Sequence, residues 1–395
     1  MKRREFCRRV TLLGGAAVLS PILQACRGTG EAPPQVAAPT QAVEPPSPTL
    51  ARPSPTALPP SATPAPAPVA TATAGPASAP TTVPTASPAA APSLSSLVGK
   101  VALVRTGDRA EGVRRAVDLL GANFVRGNPV LLKANFNSAD PAPGSTHIDV
   151  LRALVTKLED MGARMITLAE RSGMGVTRQV MQTLGVFDLA KELGFTPVVL
   201  DELPAEGWVP RRSRDDHWQQ GFAVPKMLLD APCVVQTCNL KTHRFGGHFT
   251  LSLKNSVGLA AKQVPGQGYN YMNELHNSPD QRHMIAEINR VYTPSLIVMD
   301  GVEAFADGGP DRGRKVSPRV VMAAVDRVAL DAVGVAILRS FGTTPEVSRG
   351  PIFGQAQLAR AVELGLGAAS PAQVQILTAD PESETFAAAL RQLLA

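Results

Sequence analysis

From Lys100 onward the apolar positions fall into short β-branched runs separated by segments of helical period. KVALVRT (100–106) is followed by an amphipathic stretch that continues to Leu120. PVLLKAN (129–135) precedes HIDVLRALVTKLEDMG (147–162), with Ser145 or Thr146 placed to cap that helix. MITLAE (165–170) precedes TRQVMQTLG (177–185), and PVVLDE (197–202) closes a first series. PCVVQTCN (232–239), SLIVMDG (295–301) and VVMAAVD (320–326) follow, the last running into VALDAVGVAILRSFG (328–342). VQILTAD (374–380) and a terminal helix finish the chain. Fully apolar strands alternating with helices predict an α/β fold: a mainly parallel sheet with helices on both faces.

Polar residues recur where these runs end. Lys133 and Asn135 follow the second strand, Glu170 the third, and Asp201 and Glu202 the fourth. Asn239, Lys241 and His243 follow the fifth, Asp300 and Glu303 the sixth. Ligands of open α/β sheets bind outside the carboxyl ends of the strands, so these positions predict one shared site. The richest stretch is NLKTHRFGGHFTLSLKNSVG (239–258). In an extended HFTLSLKN segment His248, Thr250 and Ser252 share one face, and Lys241 and His243 share a parity of their own. Gly246-Gly247 would fold the chain back, so that Lys241 with His243 and Lys254 with Asn255 form two rims of one site.

The residue types suggest the chemistry. Lys133, Lys241 and Lys254, with Asn135 and Asn255 beside them, predict a trap for a small anionic ligand. His243 and His248 with Glu170 are the candidate acid/base groups. A divalent metal is the alternative occupant, held by those histidines with Glu170, Asp300 or Glu303. The five-residue histidine spacing is no standard zinc pattern, however, and lysines repel cations. His276 and His283 flank SPDQ (278–281), which reads as a capping box with Pro279 at the first helical position; His283 then falls in the second turn, and both are further metal candidates. SGMG (172–175) offers the backbone N–H groups of Gly173 and Gly175 as an anion cradle, without a full nucleotide fingerprint. GGPDRG (308–313) reads as a rim or lid. No Gly-x-Ser-x-Gly elbow is present in the sequence.

The amino-terminal quarter has another character. Arg3-Arg4 in MKRREFCRR matches a twin-arginine export signal, the apolar run Val10–Leu23 is short for a membrane span, and Leu23-Gln24-Ala25-Cys26 reads as a lipobox. Residues 1–26 are thus expected to be a lipoprotein signal with Cys26 lipidated. Residues 27–98 hold half of the 36 prolines and predict a disordered stalk, leaving 99–395 as the α/β domain. The expected location is the outer face of the cytoplasmic membrane, with the export machinery and the membrane as partners. Five basic side chains and one acidic one leave with residues 1–25, reducing the formal +6 to +2, so nucleic acid is not expected as a partner. Cys233 and Cys238 remain; five steps along a strand put them on opposite faces, which favours two buried thiols over a disulfide.

The stretch from Val101 to Asp380 resembles the uncharacterised family called domain of unknown function 362. The matching segments are LLKANFN (131–137), LAERSG (168–173), NLKTHRFGGHFTLSLKNSVG (239–258), VMDGVEAFADGGPDRG (298–313) and VDRVALDAVG (325–334). The family's second motif usually reads Lys-Pro-Asn; Ala134 replaces the proline here. Some relatives carry a ferredoxin-like iron–sulfur module, and this chain lacks the cysteines for one, so no iron–sulfur cluster is expected. The resemblance implies a fold and candidate residues but no reaction. The functional expectation is therefore an exported, membrane-anchored enzyme acting on a small anion, or a non-catalytic surface lipoprotein that binds an anion or metal.

Overall fold

A computed structural model describes residues 93–121 and 123–395. The expected signal, with Arg3, Arg4 and Cys26, and the stalk up to residue 92 lie outside the described residues. Ten strands form one sheet and two more form a separate hairpin. In chain order the first strands are β1 (Lys100–Arg105), β2 (Pro129–Lys133), β3 (Met165–Glu170) and β4 (Thr196–Val199). β5 (Trp208–Arg211) and β6 (Phe222–Pro225) make the hairpin. β7 (Cys233–His243), β8 (His248–Phe249), β9 (Pro294–Gly308), β10 (Gly313–Val316), β11 (Val320–Ala324) and β12 (Gln375–Leu377) complete the set.

The order across the sheet is β12-β1-β11-β9-β7-β2-β3-β4. Every neighbouring pair on that path is parallel except those made by β11, which runs against both β1 and β9. The fold is thus α/β with a mainly parallel sheet. Its two faces are legible strand by strand. In β1, Ala102 and Val104 pack into one apolar core while Val101 and Leu103 pack into the other. Helices Arg109–Leu120 and Ile148–Asp160 press buried stripes, among them Val113, Val117, Leu151 and Leu158, into the first core. Helices Arg327–Ser340 and Pro381–Leu394 fill the second. Cys233 and Cys238 are free and buried, and fall in the first and second core respectively, as their spacing along β7 requires. Leu97, in a short 3-10 turn (Leu94–Leu97), also packs in the first core, so the end of the stretch expected as stalk belongs to the folded domain.

Several local expectations are corrected. The helix at 148 is capped by His147, whose side chain accepts from Asp149 N at 3.2 Å. Ser145 and Thr146 do not cap it because their hydroxyls tie down the preceding loop, on Ser138 O at 2.7 Å and Asn135 N at 2.9 Å. SPDQ is no capping box: Ser278 ends the helix Tyr271–Asn277 and accepts from Asp280 N at 3.0 Å, so the next helix starts at Gln281. His283 consequently lies in its first turn. HFTLSLKN is not extended either. β8 is two residues long, and Ser252–Asn255 is a helical turn because Asp331 accepts from Ser252 N at 2.8 Å and Leu253 N at 3.0 Å.

Candidate functional site

After β2 the chain moves outward to β3 and β4; after β7 it moves the other way to β9. β2 and β7 are neighbours, so a crevice opens beyond their carboxyl ends where the connections diverge. A narrow cleft of about 40 Å³ lies there. Lys133, Asn135, Glu170, Gly173, Lys241, His243, Lys254 and Asn255 all line it, so most of the residues singled out from sequence come together. The cleft adjoins an outer chamber of about 430 Å³ that shares Arg171, His243 and Lys254 and reaches Met174, Phe245 and His276.

Lys133, Lys241, Lys254 and His243 are 1, 1, 7 and 8% exposed, an unusual depth for cationic groups. Lys133 has a counterion: its Nζ lies 2.6 Å from Glu170 Oε1 and 3.3 Å from Asn255 Oδ1. Glu170 also accepts from Phe136 N at 3.1 Å and Arg171 N at 2.9 Å. Burial pushes the Lys133 ammonium down and the Glu170 carboxyl up, and each partner's charge opposes that drift. Gly258 makes the pair possible, since a Cβ there would lie 2.7 Å from Lys133 Nζ.

Lys241 donates to Asn135 Oδ1 at 2.8 Å and to Gly144 O, both uncharged acceptors. Burial lowers its pKa to about 7, with the Lys254 charge adding to the effect. Lys254 has no carboxylate or carbonyl acceptor among the described residues; burial, then the Arg171 charge, brings it to about 8. Burial and the same two lysines hold His243 well below the usual imidazole range, and its Nδ1 is buried without a hydrogen-bond partner. The imidazole is therefore neutral, and its unpartnered Nδ1 is buried beside Gly247 while the ring lines the cleft. The Arg244–Gly247 turn that pairs β8 with β7 brings the two rims together: a Cβ at Gly247 would sit 2.9 Å from Lys254 Cε and 3.0 Å from His243 Nδ1.

Other expected residues go elsewhere. His248, at φ 59, is outside the cleft lining and feels Arg282 and Glu346 rather than the cleft lysines. Asp300 and Glu303 are engaged by Arg109, at 2.9 and 3.3 Å, and Asp300 also accepts from Val302 N. They do not meet His243 or His248, because the Arg109 guanidinium already neutralises them. His276 lines only the outer chamber, with Nδ1 on Met272 O at 2.7 Å. Gly175 is not in the lining, and in the SGMG loop Ser172 N and Met174 N are taken by Thr177 Oγ1 and Asn137 O. GGPDRG forms the β9–β10 turn: Pro310 lines the cleft, and Asp311 pairs with Arg244 at 2.5 Å.

Sequence reasoning missed Arg171, which is buried, lines both chambers and donates to Ser172 O and Val257 O. Its position directly after Glu170 at a strand end was the available signal. Thr250 and Asn137 were also missed as lining residues. With Lys133 and Glu170 offsetting each other, Arg171, Lys241 and Lys254 leave the cleft positive around one neutral imidazole.

Fold and site together define an α/β protein with a cation-lined crevice at the switch point of a mainly parallel sheet. The chain belongs to the domain of unknown function (DUF362) family, whose pattern matches residues 130–336. It is similar to the thylakoid-associated protein sll1697 of Synechocystis sp., 26% identical over an alignment of 256 residues that covers 62% of this chain and 75% of that protein. Among solved structures, the lactate racemase apoprotein from Thermoanaerobacterium thermosaccharolyticum aligns with 61% of this chain at 17% identity and a TM-score of 0.39. The chain spans 57% of that protein's length.

Proposed function

We propose that the cleft is the active site of an enzyme acting on a small anion, a carboxylate or phosphate ester. In this reading Lys241, Lys254 and Arg171 hold the anionic group, and His243 moves a proton at the adjacent atom. The observation that carries it is the neutral His243 ring lining the cleft with Lys254, an ammonium that has no counterion among the described residues. A ligand anion would supply the missing charge, raise the pKa of both lysines and leave the imidazole as the available base. Lys133, Glu170, Asn135 and Asn255 position the others: the Lys133–Glu170 pair holds the ends of β2 and β3 together, and Asn135 orients Lys241.

Incubating the full chain in D₂O with a mixture of small carboxylates and phosphate esters tests this by NMR. Deuterium should enter a carbon position of one anion with the native chain and not with His243→Ala. Binding of an anion without exchange or turnover would instead favour a non-catalytic surface receptor, and binding of none would end both readings.

The same reading includes export by the twin-arginine route and a lipid anchor at Cys26, supported by the order and spacing of Arg3-Arg4, the apolar run and the lipobox. In an exporting host the protein should fractionate with membranes. Arg3→Lys with Arg4→Lys should retain it in the cytoplasm, and Cys26→Ala should separate it from lipid. Unchanged fractionation of all variants would refute the assignment.

A further inference from the structure

A second cluster lies outside the cleft, where the loop after β5 meets the start of the helix Gln281–Ile288. His217 comes from the loop; Asp280 and His283 come from the helix cap and first turn. One ligand atom from each of the three falls within 4.8 Å of the others, the one such group of histidine, cysteine and carboxylate side chains among the described residues. We propose that His217, Asp280 and His283 form a divalent-metal site for a borderline ion such as zinc, cobalt or nickel.

The arrangement around each ligand is what such an ion requires. His217 Nδ1 lies 2.6 Å from Glu287 Oε1, and the backbone N of His217 donates to Glu287 Oε2 at 2.9 Å. Glu287 is fully buried and paired with Arg360 at 3.0 Å, so its carboxylate accepts the His217 Nδ1 proton. That fixes the tautomer: Nε2 keeps its lone pair, with a carboxylate holding the other ring nitrogen as behind metal-bound histidines. His283 Nδ1 is buried with no hydrogen-bond partner and sits 3.5 Å from Asp280 Oδ1. Two ligands at about 2.1 Å from a tetrahedral ion are about 3.4 Å apart, so this spacing fits an edge of a coordination polyhedron. The two imidazoles stack at 4.7 Å between centroids and 16° between planes, so one ring must turn out of the stack to bring both lone pairs onto one ion. Imidazole nitrogen and one carboxylate oxygen select borderline ions over magnesium or calcium, and water would complete the shell. This set replaces the one expected from sequence: His283 is retained, while its partners are His217 and Asp280.

The ion would fasten the loop to the helix. Trp218 already docks there through Nε1 on Met284 O at 3.2 Å, and Asp216 through Arg290 at 2.6 Å. Arg282, next to His283, donates to Gly246 O at 2.7 Å, so the same helix turn supports the glycine hairpin of the cleft.

The full chain, purified without a histidine tag and stripped with chelator, should be titrated with cobalt(II), followed by visible absorption and elemental analysis. One ion per chain is expected, with a rise in melting temperature. His283→Ala and Asp280→Asn should each weaken binding by about tenfold or more and lose the thermal shift, while Lys254→Met leaves both unchanged. Asp280→Asn keeps the test valid if a histidine variant fails to fold. Stoichiometric binding that survives in both Asp280→Asn and His283→Ala, or no stoichiometric binding by the folded native chain, overturns the proposal.

Discussion

Lys133 and Lys254 sit in one cleft and answer to different balances. Lys133 is matched by Glu170, and removing either partner strands a buried charge. Such losses cost about 3–5 kcal/mol, so Lys133→Met should lower the unfolding free energy by about that amount, read from denaturant midpoints. Lys254 has no such partner, and its depressed pKa reports the cost of burying it. Lys254→Met should therefore leave the melting temperature unchanged or higher while phosphate affinity falls by about tenfold or more. A destabilised Lys254→Met chain, or one that binds phosphate normally, would contradict this division. The convergence of Lys133, Lys241 and His243 was legible because each stands at or beside a strand end. Arg171 shares that strand-end position, but an arginine following a glutamate also reads as an ordinary surface pair until its burial is known.

The elements holding these side chains were only partly legible. Apolar runs located the β1–β4, β7, β9, β11 and β12 strands, but HFTLSLKN alternates with period two and forms a helical turn after Phe249. What overrides the pattern is Asp331, 79 residues further along the chain. It accepts from Ser252 N, Ser252 Oγ and Leu253 N, and so caps the turn that carries Lys254 and Asn255. Asp326 does similar work in the same motif, capping the helix Arg327–Ser340 and accepting from Gly99 N and Ala368 N. The VDRVALDAVG segment is therefore architecture that aims the chemistry of another segment. Asp331→Ala leaves the buried Ser252 and Leu253 N–H groups unmatched, Ser252 Oγ keeping Arg327 O at 3.3 Å, and should cost about 3 kcal/mol, with loss of anion affinity although residue 331 touches no ligand. Asp331→Asn, which keeps an acceptor, should recover part of both; an alanine variant with native affinity would show that the cap does not position the cleft.

At the scale of the whole molecule, strand direction was the hidden property. An apolar run carries no arrow, so the reversal at β11 and the divergence at β2 and β7 follow from pairing alone. That divergence puts the buried lysines in one crevice and makes their protonation depend on what fills it. Without a ligand, Lys241 and Lys254 lose their protons near pH 7 and pH 8, against an ordinary value of 10.5. Across that window the folded chain holds fewer protons than the unfolded one, so these two groups add stability as pH rises. An anion reverses the preference by favouring the charged ammonium groups. Affinity should be highest below pH 7 and fall through pH 8. The most direct test is calorimetric titration of the full chain with inorganic phosphate near pH 8, in buffers of differing ionisation enthalpy. Net proton uptake by the protein, absent in the Lys241→Met, Lys254→Met double variant, is the predicted result; binding without proton uptake, or equal uptake by the variant, would contradict the account.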